Sequence, residues 1–206
     1  MDEQVLAAMA RWPDVPAVRG WLSLSARGQW RLHPHGRGWG VPDEEPGEAI
    51  TSPRILAFIG RNYLADDAGR WFFQNGPQRV YVRLDGAPWI LGMDADERGR
   101  PRLRTHTGRD YGPVARWWLD PDGRLYAQSD QGAGLMSDRD LARAIEALRT
   151  ADGRPLDDWL ERPDPAGITV RLAGSDDPPG RVPAGTPLGL LATDVLETAL
   201  GFVRRP

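Results

Sequence analysis

Arg79, Tyr81 and Arg83 stand at alternate positions of one apolar run, and Arg102, Arg104 and His106 do the same in a second. Successive side chains of a strand point to opposite faces, so each set of three shares a face. Guanidinium forks suit phosphates and carboxylates, and a neighbouring aromatic ring can stack on a planar group. Asp85-Gly86 decides which face is which. Read as a two-residue type I′ turn, it pairs Leu84 with Ala87, Val82 with Trp89 and Val80 with Leu91, all of them apolar. Val80, Val82, Leu84, Trp89, Leu91, Leu103 and Thr105 then face the core, and Arg79, Tyr81, Arg83, Arg102, Arg104 and His106 are left together as an anion-binding surface. The plainer reading is a solvated sheet face, because a chain without Lys must draw every surface cation from Arg. An acid-bearing helix laid over that face would turn the arginines into ion pairs of small net value.

Other clusters carry less. His33-Pro34-His35 has metal-ligand spacing and joins His106 and Asp110 on paper, but a His-x-His at a strand end reads more simply as surface decoration. Gly132 to Ser137 resembles a phosphate cradle without the third glycine of a dinucleotide fingerprint, and is expected to be a loop feeding the Ser137 N-cap. There is no nucleophile elbow, no H-E-x-x-H and no carboxylate pair at glycosidase spacing. Asp66-Asp67, Asp94-x-Asp96-Glu97 and Asp157-Asp158 fall in expected turns and helix starts, where acids cap backbone N–H groups. No catalytic residue, metal or cofactor is assigned.

Composition narrows the chemistry further. The absence of Cys excludes disulfides, thiolate metal sites and thiol nucleophiles, and the absence of Lys excludes Schiff-base and P-loop chemistry. A net charge of -3 gives no global attraction to nucleic acid. Met1-Asp2-Glu3-Gln4 is acidic where a secretory leader is basic, and Leu188 to Val203 is too short and too charged to span a bilayer, so a cytoplasmic location is expected. With 40% apolar residues and nine Trp in 206, the chain can bury a sizeable core.

The elements that would position these residues are well punctuated. Helices are predicted over Asp2–Trp12, from Ser52-Pro53 to about Leu64, from Ser137 to about Leu148, and from Asp194 to about Val203, with a short turn at Leu156–Leu160. Strands are predicted at Trp21–Ser25, Gln29–His33, Trp71–Gln74, Arg79–Leu84, Pro88–Met93, Arg102–Thr107, Val114–Leu119, Arg124–Gln128 and Ile168–Leu172. Asp120-Pro121-Asp122-Gly123 suits a type I turn with a Gly bulge that sets Trp118 opposite Tyr126 and Leu119 opposite Leu125. Residues 34–50 and 173–187 read as loops. A helix followed by a Trp hairpin occurs at 2–33 and again at 52–84, a hint of tandem units without detectable identity.

These elements predict an α+β fold: a curved antiparallel meander of about six strands, partly closed toward a barrel, with helices on one face or at the ends. The chain divides into an N-terminal helix and hairpin (1–50) packed on the main body, a flanked meander (51–150) and a C-terminal extension (151–206), as one compact unit. The stretch GRWFFQNGPQRVYV, Gly69 to Val82, is similar to proteins of uncharacterised families from high-GC bacteria, a resemblance that implies no activity. The expected function is non-catalytic binding of an anionic ligand or acidic partner on the Arg/Tyr face, with homo-oligomerisation open. A His/Asp hydrolase and a single-stranded nucleic-acid binder are the alternatives, the latter weakened because Tyr81 is the one exposed aromatic.

Overall fold

The computed structural model describes residues 1–40, 46–160, 167–172 and 185–206. The chain is an α+β protein rich in strand, with two mixed sheets, one of them curled into a half-barrel, and few helices. It divides into two units: residues 1–88 with 201–206, and residues 89–200. Each unit holds one sheet.

In the first unit, β1 (Val18–Leu24), β2 (Trp30–Leu32) and β3 (Glu48–Ala49) form one antiparallel run. After α1 (Glu3–Arg11) at the start and α2 (Pro53–Arg61) in mid-unit, β4 (Tyr63–Ala65), β5 (Trp71–Asn75) and β6 (Gln78–Leu84) form a second. The two runs join where β1 lies parallel to β6, giving the order β3-β2-β1-β6-β5-β4.

The second unit repeats this plan. Strands β9 (Arg116–Leu119), β10 (Leu125–Ser129) and β11 (Gly132–Met136) form an antiparallel run; α3 (Leu141–Ala147) follows; then come β12 (Leu148–Thr150), β13 (Ile168–Leu172) and β14 (Thr186–Leu190). Here too the first strand of the first run lies parallel to the last strand of the second, β9 against β14. An added hairpin, β7 (Trp89–Ala95) with β8 (Pro101–Thr105), docks parallel on β11. A short helix α4 (Asp157–Leu160), a 3₁₀ turn at Thr193–Val195 and α5 (Leu196–Leu200) complete it.

One turn recurs throughout. In Ser25–Gln29, Asp66–Arg70, Asp96–Arg100, Thr105–Arg109, Asp120–Arg124 and Thr150–Arg154, the first residue donates its N–H to the carbonyl of the fifth, and the glycine at the fourth donates back to the first. In each, the side-chain oxygen of the first residue also accepts the N–H of the fifth, at 2.8–3.2 Å. The glycine has φ between +72° at Gly69 and +86° at Gly153, the left-handed position that a side chain resists. Four of these turns form two pairs at equivalent places in the two units. Ser25–Gln29 and Asp120–Arg124 join the first and second strands, while Asp66–Arg70 and Thr150–Arg154 follow the first strand of the second run. Short-range chemistry therefore marks the repeat that sequence identity hides.

The expected α+β class and strand positions hold, and Trp118 faces Tyr126 and Leu119 faces Leu125 as the Asp120–Gly123 turn requires. The single antiparallel meander does not hold. Asp85-Gly86 makes no hairpin: neither residue has positive φ, Asp85 N–H donates to Leu24 O, and the chain passes at Ala87-Pro88 from one sheet to the other. Both edges of β6 are taken by β1 and β5, which leaves none for β7. The second helix stops at Arg61, where Asn62 caps it, and Tyr63–Ala65 turns to strand; the third starts at Leu141 after a turn on Ser137, and Leu148 opens β12. The Gly132–Ser137 loop is β11 through Met136, because its small residues let it lie against β7, where a side chain on Gly134 would come within 2.7 Å of Leu91 Cδ1. The last helix ends at Leu200, with Gly201 at φ +68°. Of the expected 173–187 loop, 173–184 lie outside the described residues, and Thr186-Pro187 belong to β14.

Candidate functional site

On one face of the first sheet, Val18 and Leu22 of β1, Leu32 of β2, Phe73 of β5 and Val80 of β6 lie side by side, as the registers Leu22 to Leu32, Val18 to Val80 and Phe73 to Val80 require. Helix α2 crosses this face and adds Ile55 and Ile59, with Phe58 edge-on to Phe73 at 5.4 Å between ring centres. Ser52 and Pro53 start that helix at the position a non-hydrogen-bonded N–H allows. A groove of about 540 Å³ remains between helix and sheet, lined by these side chains with Trp21, Ile50, Asn75 and Gln78. None of the lining residues is charged. Trp21, Leu32 and Ile55 are 42%, 41% and 50% exposed, so the groove opens to solvent.

Trp21 is braced from behind. Gly36, at φ +65°, lies so close that a Cβ there would stand 3.2 Å from the indole Nε1. A β-bulge at β1 places three residues of β1 opposite one of β6 and turns Trp21 toward the groove.

The internal repeat gives the groove residues counterparts in the second unit. Counting from the first residue of the equivalent turns, Leu22 corresponds to Trp117 and Leu32 to Ala127. Trp117 is 1% exposed and Ala127 is fully buried. Leu22, itself 4% exposed, lines the groove at the position where the second unit carries the larger Trp117.

The anticipated arginine surface is distributed between the two units. Alternation along β6 sets Arg79, Tyr81 and Arg83 opposite Val80 and Val82, but Tyr81 and Arg83 are as buried as the valines; in β8, Leu103 and Thr105 are buried while Arg102 and Arg104 are half-buried. Yet β6 and β8 belong to different sheets. Tyr81 is buried, its hydroxyl donating to Asp66 at 3.0 Å, with the Arg19 and Arg70 guanidinium groups 4.6 and 5.2 Å from its ring centre. Arg83 is buried too, donating to Asp85 at 2.9 Å and to the carbonyls of Gly38 and Gly40 at 2.6 and 3.1 Å. Arg79 lies half-buried, 4.0 Å over the Phe72 ring. In the second unit, Arg102 pairs with Asp110, and Arg104 with Asp94 at 2.7 Å. Among the described residues, the partners of these side chains are carboxylates and loop carbonyls rather than an acid-bearing helix.

The histidines are divided between the units, His33 and His35 in the first and His106 in the second. His33 is buried, its Nε2 2.9 Å from Ser23 Oγ, and Gly38 and Gly47 press on its ring; His35 is exposed; His106 lies in the second unit, 5.7 Å from the Trp89 ring, accepting the Ile90 N–H at Nδ1. Burial pulls the His106 imidazole down to about 3. Among the described residues, no three His, Asp or Glu side chains gather as a metal site would need. No helix of the described residues is long and apolar enough to cross a membrane.

The groove escaped the sequence reading because it depends on a parallel pairing between β1 and β6. The available signal was the run Ile50, Ile55, Ile59 with the exposed Trp21 and Leu32, which local alternation alone does not bring together.

An antiparallel/parallel repeat of this kind defines a two-unit α+β scaffold, rich in strand, whose first unit carries an open apolar groove. Over residues 1–206 the chain matches the family described as Protein of unknown function (DUF2946), and it belongs to that family. No curated protein matches it. Its fold is similar to that of a DUF1285 family protein from Silicibacter pomeroyi DSS-3, at 16% identity and a TM-score of 0.50, covering 96% of this chain and 99% of that one. A DUF1285 family protein from Shewanella baltica OS155 matches at 14% identity and a TM-score of 0.42, over 60% of this chain and 89% of the other.

Proposed function

We propose that the chain is a non-catalytic binding protein that takes its ligand in the groove between α2 and the first sheet. The observation that carries this reading is the uncharged space of about 540 Å³ lined by Leu22, at the position where the second unit carries the larger Trp117. That volume lies within the range of about 300–1,000 Å³ typical of small-molecule sites, which are mostly apolar with a few polar groups. The test copies one unit into the other. Nile red, a neutral polarity-sensitive dye, brightens with the wild-type chain, and Leu22→Trp abolishes the brightening while leaving the melting temperature in place. Equal brightening with both chains would overturn the reading.

A second reading keeps the anionic ligand or acidic partner on the Tyr81 face. It is favoured by Arg79, which lies over the Phe72 ring and has no acidic partner among the described residues, and by Arg19 beside Tyr81, whose Nε donates to Pro206 O at 3.2 Å. Elution from a sulfonate resin at lower salt after Arg19→Ala and Arg79→Ala supports it; unchanged elution removes it.

A further inference from the structure

We infer that the groove selects a neutral amphipathic molecule, an acyl or aryl chain ending in an amide- or ester-type head, with the head held by Asn75 and Gln78. This inference rests on the proposed groove-binding function and adds the chemistry of the ligand to it.

The argument begins with the direction of the groove. Asn75 and Gln78 are cross-strand partners on either side of the Gly76-Pro77 turn, so both carboxamides sit at one end of β5 and β6. Leu22, paired with Leu32 and with Val82, marks the other end. Gln78 and the level of Leu22 are four residues apart along β6, roughly 13 Å at about 3.3 Å per residue. Polar groups therefore stand at one end of the groove, and Leu22, Leu32 and Trp21 at the other.

Charge decides the head. The groove has no cation to neutralise a carboxylate and no acid to neutralise an amine. A charged head brought there would lose hydration without a partner, which is unfavourable by several kcal/mol in an apolar setting. A carboxamide carries both an acceptor oxygen and two N–H donors, so it satisfies an amide or ester head from either side. Gln78 is weakly engaged, its Nε2 3.5 Å from Pro16 O, and Asn75 is exposed. Both can turn to a ligand at little cost.

Size decides between a small molecule and a protein segment. A space of about 540 Å³ takes a chain with a compact head, and the Trp21 indole, braced by Gly36, offers one flat wall for an aryl or alkyl tail.

The experiment is titration calorimetry of the full chain with octanamide, octanoate and octylammonium, which share a tail and differ in head. Octanamide is expected to bind at least about tenfold more tightly than either ion, and Asn75→Leu with Gln78→Leu to erase that preference, a loss of about one or two hydrogen bonds. Leu22→Trp is expected to abolish all binding. If the three probes bind alike, or the Asn75 and Gln78 variants keep the preference, the head assignment is overturned while the groove reading stands. Tighter binding of octanoate overturns it as well. If no probe binds and Nile red is also indifferent to Leu22→Trp, the groove reading itself fails. A dimer in sedimentation equilibrium that Ile55→Glu dissociates would show the groove to be filled by a second copy, and would overturn the small-molecule assignment.

Discussion

Arg83 donates from Nε to Asp85 Oδ1 at 2.9 Å, with its side chain 2% exposed and that of Asp85 13%. The same guanidinium reaches back to the carbonyls of Gly38 and Gly40, more than forty residues earlier in the chain. One buried cation thus ties the residues after β2 to the end of β6.

Arg83→Ala leaves Asp85 and both carbonyls without their donor in a dry setting. The expected loss is about 3 kcal/mol or more, the usual cost of removing one partner of a buried pair. Arg83→Lys keeps the charge but cannot reach all three acceptors, and should fall in between. Urea unfolding followed by tryptophan fluorescence measures both; a change within 0.5 kcal/mol for Arg83→Ala, about the noise of surface substitutions, would contradict the assignment.

The recurring turn separates backbone strain from steric crowding. Gly123 has φ +76° and open space where a Cβ would stand, so Gly123→Ala is expected to cost about 1 kcal/mol from the left-handed conformation alone. Gly69 has φ +72°, and its added Cβ would meet the Gly201 carbonyl oxygen at 2.5 Å. Gly69→Ala should therefore cost a further ~1–3 kcal/mol. Equal melting temperatures for the two variants would remove the claimed contact between the Asp66–Arg70 turn and the C-terminal segment.

Tyr111 is fully buried, and its hydroxyl lies 2.8 and 2.6 Å from the carbonyl oxygens of Ala127 and Gly132, which share its one proton. Tyr111→Phe removes the donor and keeps the ring. A loss of about 1–2 kcal/mol is expected from the two carbonyls left short of a partner. Chemical denaturation decides it, with an unchanged midpoint as the contrary result.

Acid should weaken the fold in two windows. His106, held down to about 3 by burial against an ordinary 6.5, takes up its proton more readily in the unfolded chain. Its stabilising effect is therefore complete above pH 6.5 and declines as pH falls toward 3. Asp66 behaves as a depressed carboxylate: burial raises it, but hydrogen bonds from Arg70, Tyr81 and the Ala68 N–H outweigh burial and hold it at about 2 against 3.8. That contribution is present above pH 3.8 and is lost as pH falls through 2. His106→Phe should flatten stability against pH between 6.5 and 4, and Asp66→Asn should act only below 4. A His106→Phe profile parallel to wild type would overturn the first assignment.

Turn chemistry and strand placement were legible because they act over a few residues. Asp120 to Gly123 dictates the pairing of Trp118 with Tyr126 wherever the strands later go. Ser25, whose hydroxyl receives the Gln29 N–H, sets Leu24 against Trp30 in the same way. Period-two alternation also sets Arg79, Tyr81 and Arg83 on the face opposite Val80 and Val82. What alternation cannot say is which strand lies on either edge, or what covers each face. Asp85-Gly86 looked like a hairpin because the local register was apolar on both sides, and β1, sixty residues earlier, took the edge instead. That parallel pairing buried Tyr81 and Arg83, brought Leu22, Leu32 and Ile55 around one groove, and set β6 and β8 in separate sheets. Local hydrogen bonds belong to the sequence; the choice among equally apolar edges belongs to the tertiary structure, since it depends on which distant surfaces bury each other best.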